Sequence, residues 1–144
     1  MSSWALLLLL IVVGGGVVGA VTAAVVTRRL AAGGGAEAAL RVVGGTQDPL
    51  SARWRHGVVV PAPGTLRVRP GGPGGMRIPR GRPFEVPVVS VDGGARGRPS
   101  RRQFWSINPR LDVVRITTPT ATVELAARSS DLDRVLAVLD PPGR

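Results

Sequence analysis

The chain has no cysteine, no tyrosine and no lysine; all 19 of its basic residues are arginine. Without cysteine there is no disulfide scaffold, no thiolate zinc site and no cysteine nucleophile. Only one histidine, His56, is present, so a histidine cluster for a metal is excluded as well. Aromatic residues are scarce, three Trp and two Phe. Acidic residues number 9 against the 19 arginines, for a net charge of +10. The length of 144 residues allows one ordinary domain at most, which rules out a large enzyme core. What the chain does have is apolar content: 44% of its residues are hydrophobic, which argues against a fully disordered chain.

Much of that content lies at the start. No charged side chain occurs from Met1 to Thr27, and Trp4 to Thr27 is a continuous run of apolar and small residues. A helix of about 20 such residues spans the hydrocarbon core of a bilayer. The run is therefore read as a transmembrane helix over 4–27, within a segment 1–29, with Trp4 at one interface and Arg28-Arg29 stopping the other end. Met1-Ser2-Ser3 carries no basic side chain, and the run exceeds the usual core of a signal peptide, so an uncleaved anchor is preferred. Gly14 to Gly19 matches the spacing of a dinucleotide-binding loop, with Glu37 beyond it, but the flanking apolar stretches and the lack of further βαβ units argue against that reading. Arg28, Arg29 and Arg41 follow the run and nothing basic but the α-amino group precedes it. The positive-inside rule then puts the N-terminus outside the plasma membrane and the remainder in the cytoplasm, as a single-pass cell-membrane protein. Gly15, Gly19 and Ala23 repeat every four residues, a spacing that fits a homodimer of two such helices.

Residues 30–52 read as a Gly/Ala-rich linker, because Gly33-Gly34-Gly35, Gly44-Gly45 and Asp48-Pro49 are breakers; a short helix over 36–43, with Glu37 and Arg41 paired, is the alternative there. From 53 to 142 the pattern is that of a β-rich domain. Strands are expected at Val58–Val60, at Leu66–Arg69 with Leu66 and Val68 inward, weakly near Met76–Ile78, at Phe84–Val91 with Asp92-Gly93-Gly94 as its turn, and at Phe104–Ile107. Asp112–Thr117 and Ala121–Leu125 form a hairpin around Thr118-Pro119-Thr120. Pro87 inside its run points to an edge strand or a bulge. A helix follows over about 130–140, capped by Ser130 with Asp133 three residues on; Leu132, Val135, Leu136 and Leu139 make one apolar stripe. The fold class is thus α+β: an N-terminal transmembrane helix, then a small antiparallel β-rich domain. About seven short strands followed by one C-terminal amphipathic helix is the order of a pleckstrin-homology-like fold.

Trp54-Arg55-His56-Gly57-Val58, Leu66-Arg67-Val68-Arg69-Pro70 and the arginine-rich stretch to Arg82 resemble an actinobacterial family known as domain of unknown function 2550. The segment from Asp112-Val113-Val114 through Leu125 to Leu139 is similar to the end of the same domain. The resemblance implies one N-terminal membrane span followed by a small basic domain, and it brings no activity, cofactor or catalytic residue with it. The Gly/Pro insertion Gly71-Gly72-Pro73-Gly74-Gly75 departs from the family's pattern.

No catalytic constellation stands out. His56 is read as a polar histidine at a strand start, bonded to a turn; Asp131 and Asp133 as helix-start carboxylates rather than a cation site; Glu85, Asp112 and Glu124 as solvent-facing strand residues. No cofactor or metal is expected. Charge is the informative feature. Residues 53–102 hold eleven arginines against Glu85 and Asp92, whereas 103–144 are balanced. Arg77, Arg80, Arg82, Arg96, Arg98, Arg101 and Arg102 are therefore the candidates for contact with anionic phospholipid headgroups. Nucleic acid is disfavoured, because Trp54, Phe84, Phe104 and Trp105 read as core or strand residues and not as stacking platforms. The expectation is a non-enzymatic membrane-surface module, or one that meets an unknown protein partner; the rival is a small enzyme or nucleotide-binding subunit with a pocket near His56.

Overall fold

A computed structural model describes residues 35–71 and 81–139. The expected membrane helix at 4–27, with its Gly15, Gly19 and Ala23 stripe, and the weak strand near 76–78 lie outside the described residues. Among the described residues, no helix is long and apolar enough to cross a membrane.

Seven antiparallel strands form one sheet: β1 (Ala36–Gly45), β2 (Arg55–Ala62), β3 (Thr65–Pro70), β4 (Phe84–Pro87), β5 (Ser90–Gly97), β6 (Asp112–Thr117) and β7 (Ala121–Ala127). Their order across the sheet is β4-β3-β2-β1-β7-β6-β5. One helix, α1 (Ser129–Leu139), ends the described chain. The domain is thus small and β-rich, with a C-terminal helix, as the patterning predicts.

Two of the seven strands are not those expected. The segment 30–52 is not a linker throughout, and 36–43 is not helical. Ala36–Gly45 is the central strand, paired with β2 on one side and β7 on the other. Ala36, Ala38 and Leu40 face the main core, while Ala39 is buried on the opposite face. A strand covered on both faces loses the alternation that would betray it. The Gly44-Gly45 breaker is a bulge: the register against β7 slips between Val42 and Gly44, and Gly45 takes a positive φ of 73°. The domain therefore begins near Ala36 and not at 53.

The run 84–91 is likewise two strands. β4 pairs only with β3 and β5 only with β6, so they are the two edges of the sheet. Pro87 ends an edge strand, where its missing N–H costs no ladder bond. Val88 donates its N–H to Gly64 O at 2.8 Å, and Val89 donates to Thr117 O at 2.8 Å. Consecutive residues thus bond to opposite ends of the strand order, which requires the sheet to curl until its edges meet at this corner. Asp92, Gly93 and Gly94 are not a turn but lie inside β5, where the register against β6 is irregular.

Inside the curl, Leu40, Val59, Leu66, Val68, Val86, Val114, Ile116, Val123 and Leu125 are fully buried. The helix supplies Leu132, Val135 and Leu139 to the same core, with Leu136 packed at its margin. It starts one residue earlier than its expected cap. Leu132 N–H donates to Arg128 O at 2.8 Å, so Ser130 lies within the first turn. Ser129 Oγ binds Asp112 Oδ2 at 2.7 Å, tying the helix start to β6. Residues Gly34–Arg144 form one compact unit, and both apolar clusters close within Ala36–Leu139. The hairpin between β6 and β7 is as expected; Thr118, buried, accepts from Ala121 N–H through Oγ1 at 2.9 Å.

Gly57 illustrates a local demand of the sheet. A Cβ there would run into the carbonyl oxygen of Arg69 and lie 3.2 Å from Pro70 Cα, both backbone atoms of β3. Gly57→Ala must therefore push β2 and β3 apart. The expected loss is about 2 kcal/mol, read as a lowered denaturant midpoint of the unit Gly34–Arg144.

Candidate functional site

The strand expected at Phe104–Ile107 is absent. The segment from Arg98 to Leu111 instead crosses the outer face of β6, β7 and β1 as a set of tight turns, with a 3-10 turn at Arg101–Gln103. A second, smaller apolar cluster lies beneath it: Ile107, Ala39, Val113 and Ala126, with Trp54 and Leu111 at its edge.

The segment is braced from below. Arg41, on the outer face of β1, donates through Nε to Glu124 Oε2 of β7 at 2.9 Å, and its Nη2 lies 2.7 Å from the same oxygen. The guanidinium lies 4.7 Å from the centroid of the Trp54 ring. The Gln103 side-chain oxygen, in the orientation that satisfies its neighbours, accepts from Arg41 Nη1 and from Nη2 at 2.9 Å. Arg115 Nε approaches Glu124 Oε1 at 3.6 Å. Glu124 is accordingly half-buried under two arginines and not solvent-facing, and Asp112 is also largely covered. Only Glu85 keeps the exposure that alternation predicts.

A second brace comes from His56. Its Nε2 lies 2.9 Å from Ser106 O, and Ser106 Oγ and N–H both donate to Gln103 O. His56 is thus a strand-start histidine bonded to a turn. Asn108 Oδ1 accepts from Arg110 N–H at 2.9 Å and closes the next turn. Between Gln103 and Ser106 the chain makes a tight turn, closed by Ser106 N–H on Gln103 O at 2.8 Å. Phe104 and Trp105 are both exposed, 56% and 93%, with their rings edge to face at 5.6 Å between centroids.

A cavity of about 430 Å³ opens beside this brace, lined among others by Arg41, Trp54, Arg98, Gln103, Arg115 and Glu124. His56 is not among its lining residues. Trp54 Nε1 is buried without a hydrogen-bond partner among the described residues. No group of three or more acidic or histidine side chains suited to a metal occurs among the described residues.

The candidate arginines divide. Arg77 and Arg80 lie outside the described residues. Arg82 precedes β4 and is exposed, apart from the others in the chain and at the opposite end of the strand order from β5. Arg96 is turned toward the helix, where it pairs with Asp133 and lies 4.0 Å from Asp112. Asp133 is therefore an ion-pair partner, and Asp131 pairs with Arg134 within the helix. Arg98, Arg101 and Arg102 remain exposed on one braced segment and make no ion pair among the described residues.

Sequence patterning alone places Phe104 and Trp105 in a strand and does not show their place beside these arginines. The available signal was their adjacency: neighbouring strand residues point to opposite faces, so two adjacent large aromatics with Arg, Ser and Asn around them fit a half-buried strand poorly. Comparison with known proteins yields no matching family model, no matching curated protein and no matching solved structure.

Proposed function

We propose that the chain is a single-pass plasma-membrane protein, similar in organisation to the family known as domain of unknown function 2550, whose cytoplasmic domain docks on the anionic leaflet beside its own anchor. It acts as a non-enzymatic membrane-surface module. The strand order with its curled sheet and C-terminal helix supports a pleckstrin-homology-like arrangement for that domain.

The observation that carries the reading is the grouping of Arg98, Arg101 and Arg102, exposed and without ion pairs among the described residues, on a segment fixed by Arg41 and His56. Charges held in place need not be ordered again on contact with lipid phosphate. The tether adds to this. With β1 starting at Ala36, eight residues separate Thr27 from the domain, a reach of about 28 Å at full extension. A domain held that close pays little further association cost. Each arginine near an anionic surface contributes about 1 kcal/mol, within a Debye length of about 8 Å at physiological salt.

The unit Gly34–Arg144 is expected to bind phosphatidylcholine vesicles that contain cardiolipin and to bind them more weakly as salt rises. The triple change R98Q/R101Q/R102Q should weaken binding about 100-fold at low salt without altering the circular-dichroism spectrum. Equal binding by the triple variant and the parent, measured by co-sedimentation, would refute the assignment.

A further inference from the structure

We infer that Phe104 and Trp105 form an interfacial anchor that enters the headgroup region of the bilayer when Arg98, Arg101 and Arg102 meet lipid phosphate. The inference rests on the membrane-docking reading above and extends it from charge to insertion.

Three observations carry it. Trp105 is the most exposed large apolar side chain among the described residues, and Phe104 beside it is more than half exposed. Holding both rings in water has a cost that a domain of this size does not need to bear, since three arginines already keep the segment soluble. Second, the pair is not a loose tip. Gln103 on one side is held by Arg41, Ser106 on the other is held by His56, and Ile107 is buried under the segment. The rings therefore project from a fixed base, and inserting them requires no unfolding of the loop. Third, the neighbours have the right chemistry and sign. Tryptophan favours the bilayer interface, where its ring meets acyl chains and its N–H meets headgroups. Arginines two to seven residues away can reach phosphates while their stems lie along the same surface. The two halves are complementary: charge draws the segment to an anionic leaflet, and the rings keep it there once salt screens the charge.

A stacking platform for single-stranded nucleic acid would use the same residue types, but the edge-to-face packing of the two rings leaves no parallel pair of faces for successive bases. The bilayer is the occupant the geometry favours.

The test uses the unit Gly34–Arg144, whose core closes within itself and which contains two tryptophans, the half-buried Trp54 and the exposed Trp105. On addition of cardiolipin-containing vesicles, Trp105 emission should shift to the blue and be quenched by brominated acyl chains; W105F should lose this signal. F104S/W105S should bind at least about 10-fold more weakly and, unlike the parent, should dissociate fully at moderate salt. Both side chains are more than half exposed and belong to neither buried cluster, so this variant should keep the melting curve of the parent. Vesicle binding with unshifted, unquenched Trp105 overturns insertion and leaves charge docking intact. Quenching that is equal with pure phosphatidylcholine overturns charge docking and leaves insertion intact. A Trp105 shift with single-stranded RNA and none with vesicles overturns both.

Discussion

A fragment starting at Ser51 will not fold, whereas one starting at Gly34 will. The first corresponds to the domain as its composition suggests; the second includes β1. Removing residues 36–45 takes out both central ladders of the sheet, to β2 and to β7. It also removes Ala36, Ala38 and Leu40 from the main core and Ala39 from the outer cluster. What would remain is two three-stranded sheets with no ladder between them, held together only by the Val88–Val89 corner, the helix packed against both and the His56–Ser106 contact. A domain of about 100 residues has roughly 5–15 kcal/mol of stability in total, and losing Leu40 and three buried alanines from the core together with both central ladders removes about that much. The fragment 51–144 should therefore show no cooperative thermal transition and poor amide dispersion in NMR, against a single sharp transition for 34–144. A folded 51–144 would mean that β1 is dispensable and the strand order is wrong.

Removing the carboxylate of Glu124 should cost about 3 kcal/mol, far more than removing that of Glu85. Glu124 has a side chain only 13% exposed, and its partner Arg41 is 22% exposed, between the Trp54 ring and Gln103. Glu124→Ala strands that guanidinium in a poorly solvated place, which is the costly half of breaking a covered ion pair. The Glu85–Arg67 pair is more than half exposed on both sides, so Glu85→Ala should change stability by less than about 0.5 kcal/mol. Denaturant titration of the two variants reads the contrast directly. The double change R41L/E124L should be less harmful than Glu124→Ala alone, because it leaves no orphaned charge. Loss of the brace should also raise amide exchange at Gln103–Ile107 while the β6–β7 hairpin stays protected.

The central strand and the outer-face brace are the parts of the molecule least legible in the sequence, for physical reasons. Ala, Glu and Gly are poor strand formers by propensity, so Ala36–Gly45, whose only β-branched residues are Val42 and Val43 beside the Gly44-Gly45 breaker, lacks the alternation of Leu66–Arg69 and the β-branched density of Asp112–Thr117. Its strand character comes from two neighbours and two covered faces, which no local window contains. Phe84–Val91 misled in the opposite way. Val88 and Val89 are β-branched, but their bonds go to different edges of the sheet, so a run that looks continuous is a corner. Pro87 was the one local sign of the break. The helix was legible nearly to the residue because its stripe and its Pro stop are both local. Among the site residues, the positive charge of Arg98, Arg101 and Arg102 was visible in composition. The withdrawal of Arg96 was not, since it depends on the helix bringing Asp133 to β5. His56 read correctly as a turn-bonded residue, although its partner, Ser106, lies 50 residues away.

The Val88–Val89 corner bears on how this domain can meet other proteins. An open sheet offers its outermost strands as templates for an incoming chain, which is how many modules capture extended peptides and how many sheets begin to aggregate. Here the two outermost strands are short or irregular, and one peptide unit staples them together. Strand addition is closed off at that end, as is end-to-end stacking of copies through it. Away from that corner, the least buried apolar feature is the outer-face segment carrying Phe104 and Trp105.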